Sequence, residues 1–222
     1  MTGRTAPEAS AASSEERGPL LLGLGANVGD AGATLAAAVE LIGELDGVTI
    51  EEVSSVYETP PWPPPEDPRH VPQDPYLNLV VRGRTSLSPE VLLAQLLELE
   101  ALLGRDRSVE ERWGPRPIDI DLLVLGDEVR GTESLTLPHP RLSERAFVLV
   151  PALEVWPGGA LPDGRRLTAM LAALAPIEDI LLVDRLDDVP SSHLRRPDGP
   201  VAPAASFSRP STERVAREHG AS

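Results

Sequence analysis

Apolar positions recur along this chain with two periods, and together they predict most of its elements. Leu20 to Leu24 is a short apolar run after Pro19 and predicts a first strand. A helix is predicted over Ala31 to Leu45, because Leu35, Val39, Ile42 and Leu45 fall on one face, Asp30 stands where a cap is needed and Gly47 lies past the end. Between them, Gly23-Leu-Gly25-Ala-Asn27-Val-Gly29 has the spacing G-x-G-x-x-x-G, which is not a dinucleotide fingerprint, and it reads as a tight strand-to-helix turn. Val48 to Tyr57 alternates and predicts a bulged second strand; Leu77 to Arg84 predicts a third, antiparallel to it. Ser88-Pro89-Glu90 opens a second helix that runs to Leu103, with Leu92, Leu96, Leu99 and Leu103 as its apolar stripe. A strand follows from Asp119. Period two puts Asp119, Asp121, Leu123 and Leu125 on one face, and Ile118, Ile120, Leu122 and Val124 on the other. The order β-α-β-β-α-β predicts an α+β fold, the ferredoxin-like split βαβ antiparallel sheet with helices packed on it. C-terminal additions are expected: a hairpin around Asp127 to Gly131, a strand-to-helix junction before Val150, a helix over Leu167 to Leu174 and an edge strand over Ile180 to Val183.

The periodicity lapses at both ends and in one loop. Residues 1–18 and 187–222 carry no periodic apolar face and read as flexible tails around one domain at 19–186. The first of them lacks the apolar stretch of a signal peptide, and no run approaches the roughly 18 apolar residues of a membrane span. A cytoplasmic protein is expected. Glu58 to Tyr76 is proline-dense and too long for a hairpin turn, which marks either a functional lid or an insert. Its ends carry Trp62 and Tyr76, aromatics suited to stacking a planar ligand.

Composition removes whole classes of chemistry. Cysteine is absent, so disulfides and thiolate chemistry are excluded. All 20 basic residues are arginine, which excludes Schiff-base chemistry and a lysine-bearing P-loop. The net charge of −15 argues against a nucleic-acid partner. A small anion held by a local arginine cluster stays compatible with it.

Such a cluster stands next to Asp119 and Asp121. Two carboxylates on one face of an otherwise apolar strand are costly, and each raises the other's pKa. A solvated strand start would relieve this, and so would a divalent cation. Arg105, Arg107, Arg112 and Arg116 lie just upstream, so carboxylates that could hold a metal adjoin guanidiniums that could hold phosphate.

The motifs Gly25-x-Asn27, Tyr57-x-Thr59-Pro60-Pro61, Tyr76-Leu-Asn78, Gly104-Arg105-x-Arg107, Arg112-Trp113-Gly-Pro-Arg116-x-Ile-Asp119-Ile-Asp121 and Leu137-Pro-His139 followed by Arg145-x-Phe147, in that order, closely resemble the 6-hydroxymethyl-7,8-dihydropterin pyrophosphokinases of folate biosynthesis. The resemblance implies transfer of pyrophosphate from ATP to the pterin hydroxymethyl group with release of AMP and use of two Mg²⁺. By the same resemblance, Asp119 and Asp121 are the metal ligands and act in catalysis with Arg112 and Arg116. Glu100, Arg105, Arg107, Arg112, Trp113, Arg116, His139 and Arg145 would contact ATP. Thr59, Pro60, Pro61, Tyr76, Asn78, Asp119 and Phe147 would form the pterin site. A monomer is expected, with contact to a neighbouring folate-pathway enzyme left open. The sequence departs from the family pattern in a longer proline-rich loop from Pro61 to Pro75, one extra residue between Arg107 and Arg112, and Pro140 where an aromatic often follows the histidine. The acids alone also fit another Mg-dependent two-metal phosphotransferase or nucleotidyltransferase, or a non-catalytic nucleotide-binding module of ferredoxin-like fold.

Overall fold

The computed structural model describes residues 16–111, 113–177, 179–184 and 186. The expected tails therefore fall outside the described residues, apart from positions 16–18. Strand β1 (Arg17–Ala26) already begins there, two residues inside the stretch expected to be tail. Helix α1 (Ala31–Gly43) starts where the Asp30 carboxylate accepts the Ala33 amide at 2.9 Å. The second strand is broken in two, β2 (Val48–Val53) and β3 (Val56–Thr59). Both pair with β4 (Tyr76–Thr85), but Val53 stands opposite Val81 while Tyr57 stands opposite Asn78. The extra residue is absorbed at Ser54, whose hydroxyl accepts the Val80 amide and whose own amide donates to the Val80 carbonyl. A bulge of this kind bends the strand, and β3 leaves β2 to pair on its far side with β8 (Leu181–Asp184). Helix α2 (Pro89–Leu102) is capped by the Ser88 hydroxyl, as its sequence predicts. Strand β5 (Asp119–Leu125) closes the other side of the sheet.

The sheet runs β5-β1-β4-β3-β8, with β2 also on β4, and every pair is antiparallel. One face is covered by α1 and α2, whose Leu35, Ile42, Leu92 and Leu96 pack on Leu22, Leu24, Leu79 and Ile120. The other is covered by α3 (Ala146–Val155) and α4 (Leu167–Ala173), which bury Leu149, Ala152 and Leu167 against Leu21, Val80 and Leu123.

Two expectations need correction. The hairpin lies later than 127–131: Gly126 turns the chain with φ +51°, and β6 (Arg130–Gly131) pairs with β7 (Thr136–Leu137) instead. The second concerns the faces of β5. A register shift opposite Leu21 and Leu22 puts Val124 into the core with Leu123 and returns Leu125 to the core with Leu122. Leu125 therefore does not share a face with the acids. Asp119 and Asp121, upstream of the bulge, keep their common face.

Candidate active site

That common face opens into a cleft of about 1700 Å³. Asp119 and Asp121 lie opposite Gly25 and Gly23 of β1. These glycines are inside the strand, so the turn expected at Gly23–Gly29 is confined to its last residues, where Gly29 takes φ +64°. Gly25 has a steric reason: a Cβ there would come within 2.9 Å of Asn78 Oδ1. The missing side chain makes room for the Asn78 amide, which donates to Thr59 Oγ1 at 2.8 Å. Pro60 and Pro61 line the cleft beyond Thr59, and Tyr76 and Phe147 line it from β4 and from the first turn of α3.

The acids are tied to arginines from two directions. Asp119 accepts from Arg105 at 2.5 Å through one oxygen and from Arg116 at 3.2 Å through the other. Asp121 accepts from Arg145 at 2.9 Å, and His139 Nε2 stands 3.8 Å from its other oxygen. Burial alone would raise both carboxyl pKa values. At Asp119 the Arg116 and Arg105 guanidiniums outweigh burial and hold it below the usual carboxylate range. At Asp121 burial is reinforced by the Asp119 charge, and its pKa is pushed up. The pair thus resists carrying two charges. Burial pushes the His139 pKa down, against the pull of Asp121. Because His139 Nδ1 accepts the Arg141 amide at 3.2 Å, the neutral ring carries its proton on Nε2, toward Asp121.

Glu100 is not a wall of this cleft. It is 1% exposed, and its oxygens take Arg105 at 2.8 Å, Arg107 at 2.5 Å and the Ile120 amide at 2.7 Å. It therefore fixes two cleft arginines and the start of β5 from beneath. Arg105 is further gripped by both oxygens of Glu110 at 2.7 and 3.0 Å. Burial works against its charge, yet Glu110, Asp119 and Glu100 together raise its pKa.

The loop bearing Trp113 is held by an amide network. Asn27 Oδ1 accepts the Arg116 amide at 2.9 Å while its Nδ2 donates to Gln73 Oε1 and the Asp74 carbonyl, both at 2.9 Å. Gln73 in turn donates to the Trp113 carbonyl at 2.7 Å, and the Tyr76 hydroxyl lies 3.0 Å from the Gly114 carbonyl. Trp113 itself takes φ +70°, a conformation such contacts must hold in place. Cations stand over the aromatics: Arg141 over Trp113 at 5.0 Å, Arg145 over Phe147 at 5.6 Å and Arg116 over Tyr76 at 5.9 Å.

The cleft thus gathers Thr59, Pro60, Pro61, Tyr76, Asn78 and Phe147 with the acids and with Arg105, Arg107, Trp113, Arg116 and Arg145. His139 adjoins Asp121, Glu100 lies beneath, and Arg112 is outside the described residues. Sequence reasoning passed over Gln73 and Glu110, and held Arg141 only as one of two arginines beside His139 and Phe147 at a strand-to-helix junction that could fold over the acids. Glu110 carried a signal, since it is a charge within a segment already rich in site residues. Gln73 carried none.

Residues 21–157 match the family 7,8-dihydro-6-hydroxymethylpterin-pyrophosphokinase (HPPK). Among curated proteins, the 2-amino-4-hydroxy-6-hydroxymethyldihydropteridine pyrophosphokinase of Methylorubrum extorquens is 44% identical over 155 residues, covering 70% of this chain and 92% of that protein. Its Bacillus subtilis counterpart is 42% identical over 134 residues, 60% of this chain and 75% of that one. The fold is similar to that of wild-type Plasmodium falciparum HPPK-DHPS solved with pteroate, with a TM-score of 0.55 at 13% identity over 72% of this chain. This chain spans 42% of the length of that solved chain. The chain therefore belongs to the 7,8-dihydro-6-hydroxymethylpterin-pyrophosphokinase family and is an ATP-dependent diphosphotransferase of folate biosynthesis.

Proposed function

We propose that the cleft binds ATP and 6-hydroxymethyl-7,8-dihydropterin side by side, with Asp119 and Asp121 where the pyrophosphoryl group passes between them. The observation that carries this reading is the acid pair itself: two carboxylates on one strand face, each about 30% exposed to the cleft and each tied to a different arginine segment. Two hard oxygen donors do not fill a metal shell. They suit Mg²⁺, which keeps waters and takes substrate phosphates as further ligands, and the reading includes two such ions. Bound there, Mg²⁺ would neutralise phosphate charge and polarise the phosphorus under attack.

Arg105, Arg107, Arg112, Arg116 and Arg145 would hold the triphosphate, and His139 would donate from Nε2 beside Asp121. Several of these arginines already contact carboxylates, so nucleotide binding exchanges one anionic partner for another without exposing bare charge. Glu100 would act on the nucleotide side by fixing Arg105 and Arg107. Tyr76 and Phe147 would stack the pterin, Thr59 and Asn78 would bond its edge, and Pro60 and Pro61 would shape its pocket. Trp113, on a loop pinned by Gln73 and Asn27, would help exclude water, whose attack would waste ATP. Gly25→Ala is expected to push the Asn78 amide off Thr59 and raise the pterin KM about tenfold. The ATP KM should hardly move, and steady-state kinetics in each substrate check this.

The strand order, with β4 between β1 and the β2/β3 strands and with α1 and α2 on one face, supports the ferredoxin-like split βαβ reading. A monomeric cytoplasmic enzyme is proposed with it. Among the described residues no helix is long and apolar enough to cross a membrane. Contact with a neighbouring folate-pathway enzyme is suggested by the likeness to HPPK-DHPS chains. Calorimetric titration of the hydroxymethylpterin, with and without a non-hydrolysable ATP analogue and Mg²⁺, tests the substrate assignment. Heat of binding is expected at least in the presence of nucleotide, and none under either condition would overturn it.

A further inference from the structure

The cleft arginines differ in what holds them. Arg105 is bound to Glu100, Glu110 and Asp119, Arg107 to Glu100, Arg116 to Asp119, Arg145 to Asp121, and Arg69 on the proline-rich loop to Asp67. Arg141 also lines the cleft, on the segment between His139 and α3. Among the described residues its guanidinium forms no ion pair and no hydrogen bond with a carboxylate; its contact is the face of the Trp113 ring, 5.0 Å from the centroid. Stacking uses the flat face of a guanidinium and leaves its in-plane N–H donors open to an oxyanion. A cation half-buried in a cleft and not neutralised by a carboxylate is a place where an anionic ligand gains most, because no existing partner must be displaced.

We infer that Arg141 is a further phosphate-binding residue for this reaction, gripping the nucleotide's phosphate chain through its in-plane donors while its face holds the Trp113 indole. Its position supports a link between the two substrates' shells. Its backbone amide sets the His139 tautomer, and the chain runs from it within six residues to Arg145 and Phe147. Its ring partner belongs to the loop that Gln73 and Asn27 tie to β1 and β4. Phosphate drawn to Arg141 therefore also orders Trp113 against the cleft.

The inference rests on the proposed ATP site, and the test separates the two. AMP formation is measured for the wild type, Arg141→Ala and Arg141→Lys, with ATP and pterin varied in turn. Binding of a non-hydrolysable ATP analogue is followed by Trp113 fluorescence in a Trp62→Phe, Trp156→Phe background. Arg141→Ala is expected to raise the ATP KM and the analogue's Kd about 10- to 100-fold, with the pterin KM changed less than about threefold, and to reduce the nucleotide-induced change in Trp113 emission. Arg141→Lys should restore part of the affinity, since it keeps the charge, but not the emission change, since it loses the planar stack. An unchanged analogue Kd in Arg141→Ala, or an equal rise in both substrates' KM, would overturn the inference while leaving the wild-type activity as it stands. Failure of the wild type to form AMP from both substrates would instead overturn the ATP site on which it rests.

Discussion

Asp121→Asn is expected to lower AMP formation by about 10³-fold, while the fold persists and the melting temperature in metal-free buffer does not fall. The two halves of this outcome share a cause. Asp121 is buried beside Asp119, and burial and that neighbouring charge both push its pKa up, so its ionised form strains the folded chain. An amide keeps the shape, its oxygen can still accept from Arg145 although its NH2 cannot accept from His139, and it removes the like-charge repulsion. Sites where function demands such strain commonly stabilise when neutralised. In catalysis, on the proposed reading, the missing charge would be a lost metal ligand at the centre of the cleft proposed to take the phosphates. Steady-state rates and thermal melts of the two proteins check both halves. A loss of activity accompanied by unfolding would place Asp121 in the scaffold instead.

The second large effect falls on stability. Glu100→Ala leaves the Arg105 guanidinium, 3% exposed, without its most buried partner and the Ile120 amide without an acceptor. Breaking a buried pair from one side costs about 3–5 kcal/mol where the remaining charge is left unpaired, and because Arg105 keeps Glu110 and Asp119 the loss here falls at the lower end. For a domain of this size the melting temperature should fall on the order of 10 °C. Arg107→Ala removes another partner of the same carboxylate, but that side chain is 54% exposed, and its loss should cost less than about 1 kcal/mol. Comparable effects of the two substitutions in a thermal melt would contradict this view of Glu100 as the buried hub.

How much of this was legible depended on whether the signal was local. The acid pair and its common face follow from period two, and the caps of α1 and α2 from Asp30 and Ser88. The same rule failed from Val124, three residues past Asp121, because the bulge opposite Leu21 and Leu22 is a property of pairing with β1 and not of β5 alone. Gly23 and Gly25 read as a turn because glycine has two meanings: backbone freedom, and the absence of a side chain. The second applies here, and it shows itself only once Asn78 from β4 lies across from Gly25. The burial of Glu100 could have been found. It stands four residues after Leu96 on a helix whose leucines face the core, and an acid there requires a cation such as Arg105. Helix α3 was harder, since Pro151 interrupts the pattern inside it. The proposed pterin pocket was least legible. Tyr76 and Phe147 are far apart in sequence, and either alone reads as core.

The central claim is that ATP is cleaved between its α- and β-phosphates with the pterin as acceptor. It is tested most directly by separating the nucleotide products after incubating the enzyme with ATP, Mg²⁺ and 6-hydroxymethyl-7,8-dihydropterin. AMP and the pterin diphosphate are expected in equal amounts, with none formed when the pterin is omitted. Accumulation of ADP, or AMP release that does not depend on the pterin, would contradict it.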